Sequence, residues 1–346
     1  VEKFMQRAFE LAKFGLGHVA PNPMVGCVIV HNSTMIGEGW HRKFGEAHAE
    51  VNAIASVLDL SLLPNSTLYV TLEPCNHVGK TPPCTDLIIQ SGIKKVVIAT
   101  IDPNPLVSGK GVERLRNAGI EVTSGVLEKT ARFINRRFIT FQTEKRPYIV
   151  LKWAETADRF MDKIRAKNEL GAFQISGSES TRMVHRWRAE ESAILVGANT
   201  AITDNPKLST RVWPGNNPIR IVIDPNLQLP GSSHLLDNSV RTMIFNRLQT
   251  KTVFNTEFIQ LDFTKEILPD VLSYLHHEKV QSVLVEGGAA TLNRFLSAGL
   301  WDEIRVIRSN NYLKEGLKAP ELPGIDYTHE QAGEDLILHG EKGNKN

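Results

Sequence analysis

Early in the chain, three groups of side chains with metal-binding chemistry follow one another: His48-Ala49-Glu50, then Pro74-Cys75, then Pro83-Cys84. One imidazole and two thiolates suit zinc, and three protein ligands leave a fourth tetrahedral position for water, as catalytic zinc sites do. Zinc lowers the pKa of such a water toward neutrality, so a hydroxide-strength nucleophile becomes available at ordinary pH. Glu50, two residues beyond His48, is placed to carry protons without binding the metal. A purely structural zinc site would need a fourth ligand, for which His77 is a loop candidate, and it would leave Glu50 without a task. Cys27 stands alone in the apolar run Met24–Val30 and reads as a small core residue.

The elements that must hold these residues can be read from hydrophobic period. Lys3–Gly15 and Glu46–Leu58 have helical spacing, and Gly26–Val30 and Thr67–Leu72 read as strands. Cys84–Ser91 reads as a helix closed by Gly92, so Cys84 sits at a helix start, where unpaired N–H groups favour a thiolate. Lys95–Thr100 and Ile120–Ser124 read as strands around a helix Gly111–Ala118. Strands separated by helices predict an α/β layered domain with a largely parallel sheet. The polar stretch Gln142–Pro147 marks a boundary, giving domains 1–144 and 145–346. A second α/β series follows, with strands at Tyr148–Trp153, Ala193–Val196, Ile219–Asp224, Thr242–Phe245 and Ser282–Val285. Helices read at Glu179–Ala189 and Ala290–Ala298, and the polar stretch Gly333–Asn346 is expected to fray.

The order of the first motif resembles the cytidine deaminase superfamily, whose signature is H-x-E followed by P-C-x-x-C. Here eight residues rather than two separate the cysteines. The run Glu73–Cys84, with Pro21-Asn-Pro-Met-Val-Gly26, is similar to the form found in bacterial riboflavin-biosynthesis deaminases. The resemblance implies a three-layer cytidine-deaminase-like domain with Zn2+ on His48, Cys75 and Cys84 and with Glu50 as the proton carrier. It also puts Asn22 on the pyrimidine, with His77 and Lys80 shaping the substrate pocket. On residue type alone, Asn22 is a turn residue between two prolines.

In the second half, Val196-Gly-Ala-Asn-Thr-Ala-Ile-Thr-Asp-Asn-Pro-Lys-Leu-Ser-Thr-Arg211 resembles the reductase part of the bifunctional riboflavin-pathway deaminase–reductases. That likeness implies a dihydrofolate-reductase-like fold using NADPH, with Thr200 and Asp204 by the cofactor and Leu208 and Arg211 by the substrate. Arg188 falls on a phosphate-binding position, for which a planar guanidinium is suited. Val283-Leu-Val-Glu-Gly-Gly-Ala-Ala-Thr291 reads as a strand, a glycine turn and a helix start, a place where backbone N–H groups can hold a pyrophosphate. In the family context Gly287 and Gly288 face the cofactor, Glu286 faces the substrate, and Lys152 occupies a further site position. On residue type alone these are an ordinary loop, a basic helix face and a strand-edge lysine. Asp158-Arg-Phe160 stands where the family usually has Asp-Gly-Arg or Asp-Gly-Lys, and Gln174 replaces an aromatic residue before Ile175. Both departures predict altered NADPH affinity, the first if the turn needs a positive φ and the second by removing an aromatic wall for the cofactor.

Composition narrows the partners. The 346 residues carry a net charge of +2, with 41% hydrophobic and 23% charged residues, the balance of a folded protein. Sixteen basic against thirteen acidic residues in 1–145, and 24 against 25 in the rest, leave neither half with the basic excess of a nucleic-acid binder. No apolar run approaches the ~20 residues of a membrane span, and Val1–Glu10 has no signal-peptide core. Composition leaves the expectation of a cytoplasmic protein without nucleic acid or membrane, and the resemblance implies a homodimer acting on a small pyrimidine ribosyl phosphate. It would deaminate C2 of the pyrimidinone and then reduce the ribosyl group to ribityl. The alternatives are a deaminase with a degenerate reductase scaffold, a nucleic-acid or nucleoside deaminase, and a zinc-stabilised binding protein.

Overall fold

The computed structural model describes residues 1–76, 82–104, 107–166 and 169–343. The chain divides into two units, Val1–Lys145 and Arg146–Asn346. In the first, α1 (Glu2–Lys13) presents Phe4, Met5, Ala8, Phe9 and Leu11 on one buried face, as its helical spacing requires. Strands β1 (Gly26–His31) and β2 (Thr34–Trp40) form a hairpin, followed by α2 (Ala49–Ala55) and β3 (Thr67–Val70). Next come α3 (Cys84–Gln90), β4 (Lys95–Ile98), α4 (Lys110–Asn117) and β5 (Glu121–Ser124), and then α5 (Glu128–Ile134) and α6 (Arg136–Thr143).

The sheet order is β2-β1-β3-β4-β5. Only β3, β4 and β5 run parallel, because β1 pairs antiparallel with both of its neighbours. The sheet is therefore mixed rather than largely parallel. Thr34–Trp40, with two glycines and a glutamate, lacks the apolar alternation that marks a strand, and its pairing with β1 supplies what its own pattern does not. Alternation through the sheet creates two cores. Cys27, Ile29, Leu68 and Val70 pack with Ala49, Ala53 and Ile88 on one face, and Val28, Val30 and Tyr69 pack with α1 on the other. Helices on both faces make three layers.

The second unit opens with β6 (Tyr148–Glu155), β7 (Phe160–Asp162), α7 (Ser178–Glu190), β8 (Ala193–Gly197) and α8 (Ala198–Asp204). It continues through β9 (Ile219–Ile223), β10 (Thr242–Asn246), β11 (Lys251–Val253), β12 (Thr256–Gln260) and α9 (Leu268–His277). It ends with β13 (Ser282–Gly287), α10 (Ala289–Ser297), β14 (Glu303–Arg308), β15 (Leu317–Lys318), β16 (Tyr327–Ala332) and β17 (Asp335–Glu341). A ten-stranded sheet runs β11-β12-β10-β9-β8-β13-β6-β14-β17-β16, parallel from β12 to β14 and antiparallel at both edges. Its central strands are buried on both faces. In β6, Ile149, Leu151 and Trp153 enter one core while Tyr148 and Val150 enter the other.

Asp335–Glu341, within the C-terminal stretch expected to fray, forms a paired strand instead. β17 lies between β14 and β16, with Ile337 and Leu338 buried, and Asp335 accepts a 2.8 Å bond from the Gly177 backbone N–H. Long-range pairing overrides local polarity there. No helix among the described residues is long and apolar enough to cross a membrane.

Candidate active sites

In the first unit, α2 and α3 bring the candidate metal ligands together by their N-terminal ends. His48 is the residue that caps α2, and Cys84 is the first residue of α3. Cys75 lies on the loop after β3, so all three donors come from the ends of elements built on the sheet. The His48 Nδ1 lies 3.6 Å from the Cys75 Sγ and 3.3 Å from the Cys84 Sγ. All three donor atoms fall within 4.8 Å of one another. The Cys84 backbone N–H donates to the Cys75 sulfur at 3.3 Å, which favours the thiolate. Cys84 beside it, together with the His48 contact, holds the Cys75 thiol down at about 4, while the same neighbour and burial push the Cys84 thiol far up. Two sulfurs this close cannot both be anionic without a cation between them. A donor set of two sulfurs and one imidazole nitrogen, with that unmet charge, fits zinc.

Glu50, in the first turn of α2, is 3% exposed. Burial first, and the Cys75 sulfur second, raise its carboxyl to about 7, where it can both take and give a proton near neutrality. Cys27 is fully buried beneath the same helix, in the core as its surroundings predict.

No sequence pattern points to the groups that support these ligands. Glu73, 4% exposed and two residues before Cys75, accepts backbone N–H bonds from Asp102, Gly109, Gly111 and Val112 at 2.8–3.2 Å. Its carboxylate thereby caps α4 and ties the Cys75 loop to it. A Cβ on Gly111 would come within 2.2 Å of the Pro74 carbonyl oxygen, so only glycine permits that approach. The other unforeseen group is His41. Its Nδ1 faces the Ala47 carbonyl at 3.1 Å and its Nε2 faces the Asn22 Nδ2 at 3.1 Å, so Nδ1 carries the proton and Nε2 accepts from the amide. Burial keeps this ring neutral, and it packs edge-on against His48 with centroids 5.3 Å apart. Asn22 is thus linked to the metal ligand through one imidazole, a link that no sequence spacing marks. His77 and Lys80 lie outside the described residues.

In the second unit the expected residues sort into two pockets. One, of about 480 Å3, is lined by Lys152, Arg188, Leu208 and Arg211. The other, of about 580 Å3, is lined by Thr200 and Gly288 at the facing starts of α8 and α10. Asp204 lines both. Glu286 and Gly287 line neither. Glu286 at the end of β13 accepts both arms of the Arg188 guanidinium, at 2.8 and 2.7 Å, with the Lys152 Nζ at 3.9 Å. Burial would raise the Glu286 carboxyl, but Arg188 and Lys152 override it and hold it at about 2. Burial in turn lowers the Lys152 ammonium. Gly287 adopts φ 126° and Gly288 then caps α10, where a Cβ would sit 2.9 Å from the Thr200 hydroxyl. Gly288, Ala289, Ala290 and Thr291 at the α10 start line this pocket, and a helix start is a setting for phosphate oxygens. A pocket with that helix start and Thr200 fits a dinucleotide.

The two departures in this half have definite places. Arg159 does adopt a left-handed φ of 68°, the conformation that glycine would favour, and its guanidinium donates to the Pro320 carbonyl at 2.8 Å. Gln174 lines the pocket of Lys152 and Arg188, not the pocket of Thr200 and Gly288, and donates to the Ser176 carbonyl at 2.7 Å.

Comparison with known proteins agrees with both halves. Residues 1–100 match the cytidine and deoxycytidylate deaminase zinc-binding region, and residues 147–309 match the RibD C-terminal domain. The riboflavin biosynthesis protein RibD of Aquifex aeolicus is 41% identical, with 97% of each chain covered. Its Escherichia coli counterpart is 35% identical, with 94% of this chain and 92% of that protein covered. Among solved structures, the diaminohydroxyphosphoribosylaminopyrimidine deaminase/5-amino-6-(5-phosphoribosylamino)uracil reductase of Thermotoga maritima superposes with a TM-score of 0.88 at 39% identity, covering 99% and 98% of the two chains. Acinetobacter baumannii RibD gives 0.88 at 33% identity, covering 99% of each. Identity at this level over nearly the full length, with both halves matched, shows that the chain belongs to the RibD family of bifunctional riboflavin-biosynthesis enzymes, a zinc-dependent deaminase joined to an NADPH-using reductase.

Proposed function

We propose that residues 1–144 form the deaminase domain, acting on 2,5-diamino-6-ribosylamino-4(3H)-pyrimidinone 5′-phosphate, and that residues 145–346 reduce its deaminated product. The observation that carries this reading is the convergence of His48, Cys75 and Cys84 within 4.8 Å, with the buried Glu50 beside them. Those three residues would hold zinc, which supplies the Lewis acidity that makes water nucleophilic near neutral pH. Glu50 takes the proton of the attacking water as the C–O bond forms at C2, and passes it to the ring nitrogen. It then takes the second proton from the new C2 hydroxyl as the carbonyl forms there, and delivers it to the amine, which leaves as ammonia as the C–N bond breaks. A carboxyl at about 7 suits both transfers. Asn22, held by His41, orients the pyrimidine. His77 and Lys80 keep their assignment to the substrate pocket on the family resemblance alone.

In the second domain, Thr200, Asp204 and Gly288 take the cofactor, and Arg188, Leu208 and Arg211 take the substrate, while Gly287 and Glu286, outside both pocket walls, keep their cofactor and substrate assignments on the family resemblance alone. NADPH supplies the hydride that goes to the ribosyl C1′. As the bond from C1′ to the ring oxygen breaks, that oxygen needs a proton. Lys152, an ammonium whose proton affinity is lowered by burial beside Glu286, is placed to give it. Asp204 lines both pockets and sets the cofactor against the substrate. Arg188 and Arg211 give a phosphorylated substrate two guanidinium groups in one pocket. Near-neutral halves support a small-molecule substrate over nucleic acid, and the family resemblance supports a cytoplasmic homodimer.

The test is a single incubation of zinc-loaded protein with the diaminopyrimidinone ribosyl phosphate, following ammonia release and NADPH oxidation together. One ammonia and one oxidised NADPH per substrate is the expected result. Ammonia alone would reduce the second unit to a scaffold, and no ammonia from zinc-loaded protein would overturn the deaminase assignment.

A further inference from the structure

The pocket of Thr200 and Gly288 contains an ion triad of Asp162, Arg165 and Asp204, of which the motifs and the mechanism above use Asp204 alone. Arg165, just beyond β7, places its Nε 2.6 Å from the Asp162 Oδ2 and its Nη2 3.1 Å from the Asp204 Oδ1. Its Nη1 donates to the Gly171 carbonyl at 2.6 Å, and the Gly171 N–H donates to the Thr203 carbonyl at 2.7 Å, next to Asp204. All three charged side chains line this pocket and are 15–28% exposed. Arg294 is the other cation on its wall.

We infer that Arg165 is a positioning residue of the reductase, which balances and orients the Asp204 carboxylate where the two pockets meet. The inference rests on the reading that this pocket takes NADPH. Two carboxylates would otherwise face a polyanionic dinucleotide, and Arg165 reduces their joint charge from −2 to −1. A guanidinium that donates one bond to each carboxylate from a rigid fork also sets the direction of each bonded oxygen, which a point charge does not. All the nitrogens named above are engaged within the protein, so Arg165 acts through Asp204 rather than as a free phosphate ligand.

The test is equilibrium NADPH binding to the full zinc-loaded chain, read by nucleotide fluorescence, beside the rate of NADPH oxidation on the deaminated substrate. Arg165→Gln is expected to raise the Kd about tenfold or more and to slow oxidation, because two like charges are left beside the ligand. Arg165→Gln with Asp162→Asn restores the net charge of the native triad. Its Kd is expected to return to within about threefold of wild type while oxidation stays slow, since nothing then orients Asp204. Cooperative denaturant unfolding of the second unit serves as the folding check. Should Arg165→Gln not fold, Asp162→Asn alone is expected to tighten NADPH binding. An unchanged Kd in Arg165→Gln, a double variant that binds no better than the single one, or looser binding in Asp162→Asn would overturn the inference. Failure of the wild-type chain to bind NADPH would instead overturn the reading of the pocket.

Discussion

The two sites solve the problem of buried charge in opposite ways. In the first unit, two sulfurs and a carboxyl converge around His48, and burial together with the neighbouring Cys75 sulfur pushes both the Cys84 thiol and the Glu50 carboxyl up. In the second, Arg188 and Lys152 answer Glu286, and Arg165 answers Asp162 and Asp204. The donor set of the first site thus calls for a metal, whereas the carboxylates of the second are answered by its own side chains. Loss of one ligand should therefore be decisive in the first, while the second should respond to substitutions in graded steps.

The largest effect is expected for Cys84→Ser. Zinc content, measured on the purified chain, should fall from about one per chain to roughly a tenth or less, and ammonia release with it. NADPH oxidation on the deaminated substrate should persist. Next comes Arg188→Ala, which strips Glu286 of its bidentate partner and leaves only Lys152 at 3.9 Å. A buried carboxylate left in that state costs about 3 kcal/mol, to be read by denaturant unfolding of the second unit. The KM for the phosphorylated substrate should rise in parallel.

A smaller effect sharpens the contrast through pH. His185 is 3% exposed, and burial together with Arg188 and Arg211 lowers its imidazole from the ordinary 6.5 to about 4. Its Nδ1 accepts the Arg211 backbone N–H at 3.0 Å, a bond that protonation would abolish. The unfolded chain takes up this proton near pH 6.5, and the folded unit refuses it until about pH 4. The contribution of His185 is therefore full above pH 6.5 and is lost progressively as pH falls toward 4. His185→Asn should flatten that part of the stability profile. The smallest change is expected for Arg159→Gly, which relieves a left-handed φ but loses the bond to Pro320. Stability, read by thermal unfolding, should move by less than about 1 kcal/mol, and the Kd for NADPH by less than about threefold.

The contrast also explains what could be read in advance. The metal-binding residues lie within 36 positions of one another on the ends of short elements, so spacing alone proposes their convergence. Strands such as Gly26–His31 and Lys95–Ile98 are legible because burial and period coincide. The second site rests on contacts such as Arg188 with Glu286, 98 residues apart, which only the family resemblance could join. Glu73, His41 and Arg165 were hidden for the same reason. Their partners are backbone groups or side chains brought close by the sheet, and no local period reports them. β2 and β17 escaped because their pairing, not their composition, makes them strands.

The central claim is that each unit carries its own complete chemistry. It is tested most directly with the Glu50→Gln chain, loaded with zinc and given first the diamino substrate and then its deaminated product. We expect ammonia release to fall about a thousandfold, with no NADPH oxidation on the first compound and a wild-type rate on the second. Ammonia release near the wild-type rate would show that Glu50 does not carry the proton, and a dead reductase on the deaminated product would show that the two sites are not independent.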